Sequence, residues 1–194
     1  MSRRAAAFVL GLALALIAGG ALWWWLQGRA TKARPGAPGP VEAGPTEKLT
    51  VELFFPADEG LRTEKRELAV TAAPKDRIRK IVAALLSGPV SSGAARPFPE
   101  GVMLGSVQLG ADGTAYLDLR WDGHPDPPSS GSMEEMQRIY SLVNSITANV
   151  PQATQLVLLW NGAQRETFSG HLDTSRPLLP DRTLIVPAAP AVPQ

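Results

Sequence analysis

The sequence predicts a single α+β domain in which two helices pack on one mixed β-sheet, in the order β-β-α-β-β-α-β-β. Three observations support this prediction. Two segments carry apolar residues at helical spacing, and pairs of strand-like segments lie before, between and after them. Asp112–Gly113 and Asn161–Gly162 are typical of the tight turns that join antiparallel strands.

Composition excludes several classes of protein. The 19 basic and 18 acidic residues give a formal net charge of +1, whereas nucleic-acid-binding domains carry a clear basic excess. No nucleic-acid partner is therefore expected. The chain contains no cysteine, which excludes a disulfide framework, a thiol nucleophile and a cysteine-bound metal.

Residues 5–26 are free of charged side chains and end near three consecutive tryptophans. As a helix this segment would extend about 33 Å, enough to cross a bilayer, and tryptophan favours the membrane–water boundary. We predict a transmembrane anchor over residues 1–27, which makes this a single-pass protein of the cell membrane. A cleaved signal peptide is the alternative, because residues 18–21 (AGGA) offer small side chains. Both interpretations export the rest of the chain.

The residues after the anchor are predicted to form a linker, a domain and a tail. Residues 28–47 are rich in proline and glycine and have little apolar surface to bury. Residues 187–194 are a second Pro/Ala-rich segment, predicted to be disordered. The folded domain is therefore expected at residues 48–186, on the extracytoplasmic face of the membrane.

The first half of the domain is predicted to contain two strands and a helix. Residues 49–55 and 65–70 have strand composition, and Pro56 ends the first strand because it cannot donate to a ladder. Residues 74–89 form the first helix, with Pro74 at a position that tolerates proline. Its apolar residues recur at helical spacing: Ile78, Ile81, Val82 and Leu85.

The opposite face of this helix is basic. It carries Lys75, Arg77, Arg79 and Lys80. A solvated helix face is the simplest interpretation of this pattern, and contact with an anionic polymer is the alternative.

The second half is predicted to contain a hairpin, a helix and a final strand pair. Residues 104–109 and 114–121 flank the Asp-Gly turn, and alternation along the second strand gives it one buried face. The second helix covers residues 132–150, where Ser132 and Glu135 have capping-box spacing. Its predicted buried stripe is Met136, Ile139, Tyr140, Val143 and Ile146. Residues 154–160 are almost all apolar, as expected of a central strand, and residues 163–168 pair back on them.

Several motifs in this order resemble the GerMN domain, named for the sporulation and germination protein GerM. The matching segments are VELFFP (51–56), IVAALLSGP (81–89), PFPEGVMLGSVQLGADGTAYLDL (97–119), YSLVNSIT (140–147) and VLLWNGAQRETFSGHLDTSRPL (157–178). The resemblance implies an envelope-associated domain without established catalysis, linked to sporulation, germination and cell-wall processes. This chain carries one copy of the domain where the namesake has two, and it lacks the lipid-bearing cysteine of many relatives.

The segment SGHLDTSRPL, residues 169–178, is the strongest candidate for chemistry. It holds His171, Asp173 and Arg176, but no G-x-S-x-G motif supplies a nucleophile elsewhere in the chain. We predict a structural role, in which Asp173 caps its own turn and His171 bonds to backbone after the permissive Gly170. A partner-binding surface made by the same three side chains is the second interpretation.

Metal binding is the least favoured interpretation. A zinc site needs about three protein ligands, so the chain's two histidines, His124 and His171, would have to meet a carboxylate. Asp122, His124 and Asp126 could form a weak cation site in their Pro-rich loop, without the spacing of an EF-hand. We predict no metal and no cofactor.

The sequence thus predicts a membrane-anchored, non-catalytic binding module. Its expected partners are the cytoplasmic membrane, through residues 5–26, and peptidoglycan or an envelope protein, with His171, Asp173 and Arg176 as candidate binding residues. The alternatives are a cell-wall hydrolase that uses His171 and nearby acidic residues, and a scaffold that only recruits a partner.

Overall fold

The computed structural model describes residues 45–91 and 93–187. The predicted anchor, most of the predicted linker and residues 188–194 of the tail lie outside this part of the chain. Within the described ranges, no helix combines the length and apolarity that a membrane crossing needs. The elements in chain order are β1 (Glu47–Ala57), β2 (Gly60–Val70), α1 (Pro74–Ser87), β3 (Val102–Leu109), β4 (Thr114–Trp121), α2 (Ser132–Asn149), β5 (Gln155–Trp160), β6 (Ala163–Gln164) and a 3₁₀ turn (Arg182–Leu184).

The prediction of an α+β fold with two helices is confirmed, but the prediction of one sheet is wrong. β1 and β2 form a two-stranded antiparallel sheet, while β3, β4, β5 and β6 form a second sheet in that order. The second sheet is mixed, because β4 and β5 run parallel and its other neighbours run antiparallel. One reason for the separation lies in α2, whose Ser145 and Asn149 side chains bond to the outer backbone of β1. Another strand cannot form hydrogen bonds with these backbone groups of β1, because the two side chains already occupy them.

The local signals gave accurate turns and helix limits. Asn161 has φ 51° and Gly162 φ 81°, so both central residues of this turn adopt the left-handed conformation that an Asn-Gly turn requires. Pro74 occupies the first turn of α1, and Gly88 caps its end with φ 89°. At these positions the residue type alone determines the backbone conformation.

The last strand is shorter than predicted. β6 covers two residues instead of residues 163–168, because the chain then pairs with itself through the Thr167–Asp173 bridge. Leu178 afterwards returns to β5, where its backbone exchanges hydrogen bonds of 2.9 and 2.7 Å with Leu156. β6 and this return segment together cover the outer edge of β5.

The core contains apolar side chains from both sheets and both helices. Phe55, Ile78, Leu117, Ile139 and Trp160 are among its largest members, and each is at least 98% buried. Burial of this kind contributes about 25 cal/mol for each Å² of apolar surface removed from water.

Helix α2 is buried around most of its circumference. Its polar side chains lie inside the molecule as well: Glu135, Gln137, Arg138, Ser141, Asn144 and Ser145. Buried polar groups are costly unless they are hydrogen-bonded, so the partners of these side chains show how α2 is connected to the surrounding segments.

Candidate functional site

Glu135 is the centre of the site. Its side chain is fully buried, and its carboxylate accepts hydrogen bonds from the segment that the sequence singled out. Oε1 accepts from the backbone N–H groups of Ser169 (2.8 Å) and Leu172 (3.1 Å). Oε2 accepts from the backbone N–H of His171 (3.0 Å) and lies 2.9 Å from His171 Nδ1. Both oxygens therefore have two partners, which is the full capacity of a carboxylate.

These contacts keep the Glu135 carboxylate ionised. Burial raises the pKa of Glu135, but the N–H groups of Ser169, Leu172 and His171 and the His171 ring outweigh it, so the pKa lies below its ordinary value of 4.5. An ionised carboxylate only accepts hydrogen bonds, which assigns the proton on this side of the imidazole to Nδ1. The His171 side chain is 46% exposed, so its ring also reaches solvent.

The capping-box prediction for Ser132 and Glu135 is wrong. Gly131 is the N-cap residue of α2 and no side chain caps it. Glu135 lies one turn into the helix, and its carboxylate is directed to residues 169–172 instead of the helix N-terminus. Glu135 binds residues 169–172 and does not cap the helix, because three convergent N–H groups stabilise a carboxylate more than a single capping hydrogen bond does.

Arg138 connects the next turn of α2 to two other loops. Its side chain is 4% exposed and donates to the carbonyl oxygens of Pro97 and Pro128, at 2.8 Å each, and to Glu134 at 2.8 Å. Its guanidinium also lies 5.8 Å from the centre of the Phe98 ring. Burial lowers the pKa of Arg138 and the Glu134 carboxylate opposes that change, so the arginine remains a cation.

Glu135 and Arg138 together brace three surface segments. We call residues 93–101, 122–131 and 165–176 the loop surface. A further contact joins two of them, since the hydroxyl oxygens of Ser130 and Ser169 lie 3.0 Å apart. Loops held in this way lose little conformational entropy on binding, which favours recognition.

Three clefts open at the loop surface. The α2 cleft, about 590 Å³, lies between Asp58, Arg96 and Met133. The His124 cleft, about 460 Å³, is lined by His124 and residues 125–129. The Arg165 cleft, about 320 Å³, shares Asp126, Pro127 and Ser129 with the His124 cleft, so the two adjoin. All three fall within the roughly 300–1,000 Å³ typical of ligand sites.

The His124 cleft has a defined floor. The His124 ring stacks on Trp121 with centroids 3.7 Å apart and planes 17° apart. Asn161 Nδ2 bonds to the carbonyl oxygen of His124 at 3.2 Å, which ties this loop to the β5–β6 turn. Arg165 of the adjoining cleft forms an ion pair of 2.9 Å with Asp126, which lines both clefts.

The three predicted site residues have different environments. His171 was predicted to bond to backbone, but its ring contacts the Glu135 carboxylate, so that prediction is wrong. Asp173 caps its own turn as predicted, accepting from Ser175 N at 2.9 Å and Ser175 Oγ at 2.6 Å. The Ser175 hydroxyl, followed by the Ser175 N–H, lowers the pKa of Asp173. Arg176 is exposed, and none of the three lines the clefts above.

No candidate cation site assembles in the described part of the chain. Residues 45–91 and 93–187 contain no group of three or more His, Asp or Glu side chains placed to hold a metal. In the Pro-rich loop, Asp126 pairs with Arg165 and His124 stacks on Trp121. Two of the three side chains that could form a cation site in this loop therefore have other partners.

Glu135 and Arg138, which organise the loop surface, were not among the predicted site residues. A signal was present, because these two charged residues lie three apart and beside Ile139 and Leu142, on a face that is otherwise apolar. Charged side chains in such positions are almost never buried without partners. The sequence could not show which loops provide them.

The fold and the site define a small α+β domain in which a helix with buried charged residues braces shallow clefts. A family model described as "Germane: Sporulation and spore germination" matches residues 52–166, more than half of the chain. The chain therefore belongs to this family, and the resemblance inferred from its motifs is confirmed.

Three solved structures are similar to this chain. The first GerMN domain of the sporulation protein GerM from Bacillus subtilis is 18% identical with a TM-score of 0.51, covering 70% of this chain and 98% of that one. The tandem GerMN domains of the same protein are 18% identical with a TM-score of 0.47 and cover 76% of this chain, which spans 50% of theirs. A chain described as a lipoprotein from Clostridium perfringens is 20% identical with a TM-score of 0.49, over 69% and 87%.

A search of curated proteins found no match. At the identities above, the similarity to solved structures concerns the fold alone.

Proposed function

We propose that this protein is a non-catalytic binding module of the cell envelope, held at the extracytoplasmic face of the membrane by residues 5–26. Its ligand is peptidoglycan or another envelope component, contacted through the loop surface. The family description, sporulation and spore germination, supports a place in processes of that kind.

The non-catalytic part of the proposal rests on one observation: the hydrogen-bonding capacity of the Glu135 carboxylate is fully used. Each of its oxygens already accepts two hydrogen bonds. A general base or nucleophile needs a lone pair free to take a proton or attack a substrate. The fully buried Glu135 carboxylate instead accepts hydrogen bonds that hold the backbone of residues 169–172.

The arrangement of the loops supports binding. Arg138 holds residues 97 and 128, and Glu135 holds residues 169–172, so three segments from distant parts of the chain are fixed on one helix. Pre-ordered loops around concave surfaces are common in recognition modules.

A hydrolase is the second candidate, and one observation favours it. Glu135 bonds to Nδ1 of His171, as the orienting acid does in catalytic triads, and the ring is 46% exposed. A triad also needs a hydroxyl bonded to the other ring nitrogen. Among the described residues no such contact to His171 is present.

The two candidates separate in one experiment on the purified full chain in detergent micelles. Sedimentation with purified sacculi measures binding, and chromatography of the soluble fraction measures released muropeptides. We expect co-sedimentation without release, and weaker binding after Arg176→Glu than after the control Arg182→Glu, which reverses an exposed charge elsewhere.

Two results would contradict the proposal. The first is release of muropeptides that His171→Ala abolishes while the fold, followed by circular dichroism, is unchanged. The second is a chain that fails to sediment with sacculi and with envelope membranes alike.

A further inference from the structure

The outer edge of β1 is closed by side chains of α2. The backbone N–H of Glu52 donates to Asn149 Oδ1 at 2.9 Å, and Asn149 Nδ2 donates to the carbonyl oxygen of Glu52 at 2.7 Å. The next outward N–H, that of Phe54, donates to Ser145 Oγ at 2.9 Å. Part of this strand's hydrogen-bonding capacity is thus used within the domain.

The edges of β2 and β5 are also protected. Val186 donates its backbone N–H to the carbonyl oxygen of Leu61 at 2.9 Å, at the start of β2. β2 is also strongly charged, with Arg62, Glu64, Lys65, Arg66 and Glu67 among its eleven residues. Charged side chains discourage pairing with another strand. The edge of β5 is covered by β6 and by Leu178.

The edge of β3 has neither form of protection. Its eight residues, VMLGSVQL, include no charge and no proline, and it lies at the end of the four-stranded sheet. Within residues 45–91 and 93–187, its outer backbone groups make no hydrogen bond beyond the one from Val102 N to Pro99 at its start. An uncharged open edge of this length is a template for an added strand.

The side chains of β3 leave room for such a strand. Met103, Gly105, Ser106 and Gln108 are exposed, and Met103 is 43% exposed although it is a large apolar residue. A β-bulge between Leu104 and Ser106 interrupts the register to β4, so the straight part of the edge is residues 106–109. A large exposed apolar side chain beside an open edge gives an added strand both backbone and side-chain contacts.

The surroundings of β3 are basic. Lys75 Nζ, from α1, lies 2.8 Å from Gln108 Oε1 at one end of the strand. The Arg120 guanidinium lies over the bulge, since a Cβ on Gly105 would lie 2.5 Å from its Nε, and it is paired with the Asp118 carboxylate at 3.1 Å. Arg79 and Lys80 follow on the exposed side of α1, where their charges also act on the Asp76 carboxylate, and α1 packs against β3. An approaching chain with carboxylates is attracted by these charges.

We propose that β3 is a docking edge for an extended acidic peptide segment of an envelope protein, which adds a fifth strand to the four-stranded sheet. Backbone hydrogen bonds to residues 106–109 supply affinity, Met103 contacts an apolar side chain, and a carboxylate of the peptide meets Lys75. This proposal goes beyond the binding function proposed above, because it assigns a protein partner to a second site. It uses a different surface from the loop surface.

The test uses the full chain and three synthetic eight-residue peptides with blocked ends. In each peptide valine alternates with a second residue. That residue is glutamate in the probe, glutamine in the first control and lysine in the second. Fluorescence anisotropy measures binding, and hydrogen exchange locates it. We expect the glutamate peptide to bind most tightly, binding to weaken as salt is raised, and protection to increase at the amides of residues 106–109.

Matched variants distinguish the edge from a general surface effect. Met103→Glu places a like charge on the edge and should weaken binding of the glutamate peptide about tenfold, and Lys75→Glu by a similar factor. Leu179→Glu and Lys48→Glu change exposed side chains elsewhere and should have effects within about twofold. The four positions are exposed, so the fold is retained in each variant.

Three outcomes would overturn the proposal. The first is equal binding of the acidic and basic peptides. The second is protection from hydrogen exchange that falls outside β3. The third is self-association of the chain that Met103→Glu abolishes, with no binding of any peptide. In the last case the occupant of the edge is a second copy of this chain. Sedimentation with sacculi tests the proposed function separately, so a failed docking edge leaves that result standing.

Discussion

Glu64 and Glu135 are two buried carboxylates that hold surface loops in the same way. Glu64, on β2, accepts from the backbone N–H groups of Val90 and Ser91 at 2.9 Å each, as Glu135 on α2 accepts from residues 169–172. Burial raises the pKa of each, and the N–H donors outweigh it, so both pKa values lie below 4.5. The same chemical solution occurs in both halves of the domain.

The two carboxylates differ in their side-chain partner. Glu64 pairs with Arg66, a permanent cation that also donates to the carbonyl oxygens of Ala84 and Gly88 at the end of α1. Glu135 pairs with the half-exposed ring of His171, which is charged only when protonated. The loop at the candidate site therefore depends on one carboxylate, whereas the loop after α1 is held by a pair of opposite charges.

Replacing Glu135 should have the largest effect. Glu135→Gln removes the charge and turns one acceptor oxygen into a donor that faces N–H groups, so we expect a loss of about 3 kcal/mol in the free energy of unfolding. Urea unfolding followed by tryptophan fluorescence measures it. A loss below about 0.5 kcal/mol would show that the loop is held by other contacts.

Replacing Glu64 should have a smaller effect. Glu64→Gln leaves Arg66 bonded to two backbone carbonyl oxygens, so the cation keeps partners and we expect a loss of about 1–2 kcal/mol. The same unfolding measurement applies. If Glu64→Gln proved more damaging than Glu135→Gln, the comparison between the two carboxylates would be reversed.

Acid should weaken both loops. Because each folded-state pKa is lowered, the folded protein takes up protons less readily than the unfolded chain. The stabilisation is complete above about pH 4.5 and is lost as the pH falls through the folded-state pKa values. Melting temperatures between pH 7 and pH 3 test this, and Glu135→Gln should show a shallower fall than the natural chain. Parallel curves would contradict the prediction.

Removing the His171 ring should have the smallest effect. His171→Ala deletes one of the four hydrogen bonds to Glu135 and leaves the three backbone bonds, so we expect a loss of about 0.5–1 kcal/mol. Urea unfolding measures it, with His124→Ala as a control that removes a stacked ring outside this contact. A loss equal to that of Glu135→Gln would mean that the ring, and not the backbone, secures the loop.

The sequence predicted most elements of the fold because their signals are local. The apolar stripe of α1, the proline at its start and the Asn-Gly turn depend on residues within a few positions of one another. It failed where distant segments compete for the same hydrogen bonds. No local pattern indicates that the backbone of β1 bonds to side chains of α2, or that β6 ends at Gln164.

The sequence by itself determined the helices, the turns and the absence of cysteine chemistry. Helical and strand periods and the backbone freedom of glycine and asparagine act over short distances. The tertiary structure decided that the strands form two sheets and that Glu135 binds a loop 36 residues away. The physical reason is that a buried carboxylate takes whichever donors the packed chain brings to it, and no local pattern records which ones arrive.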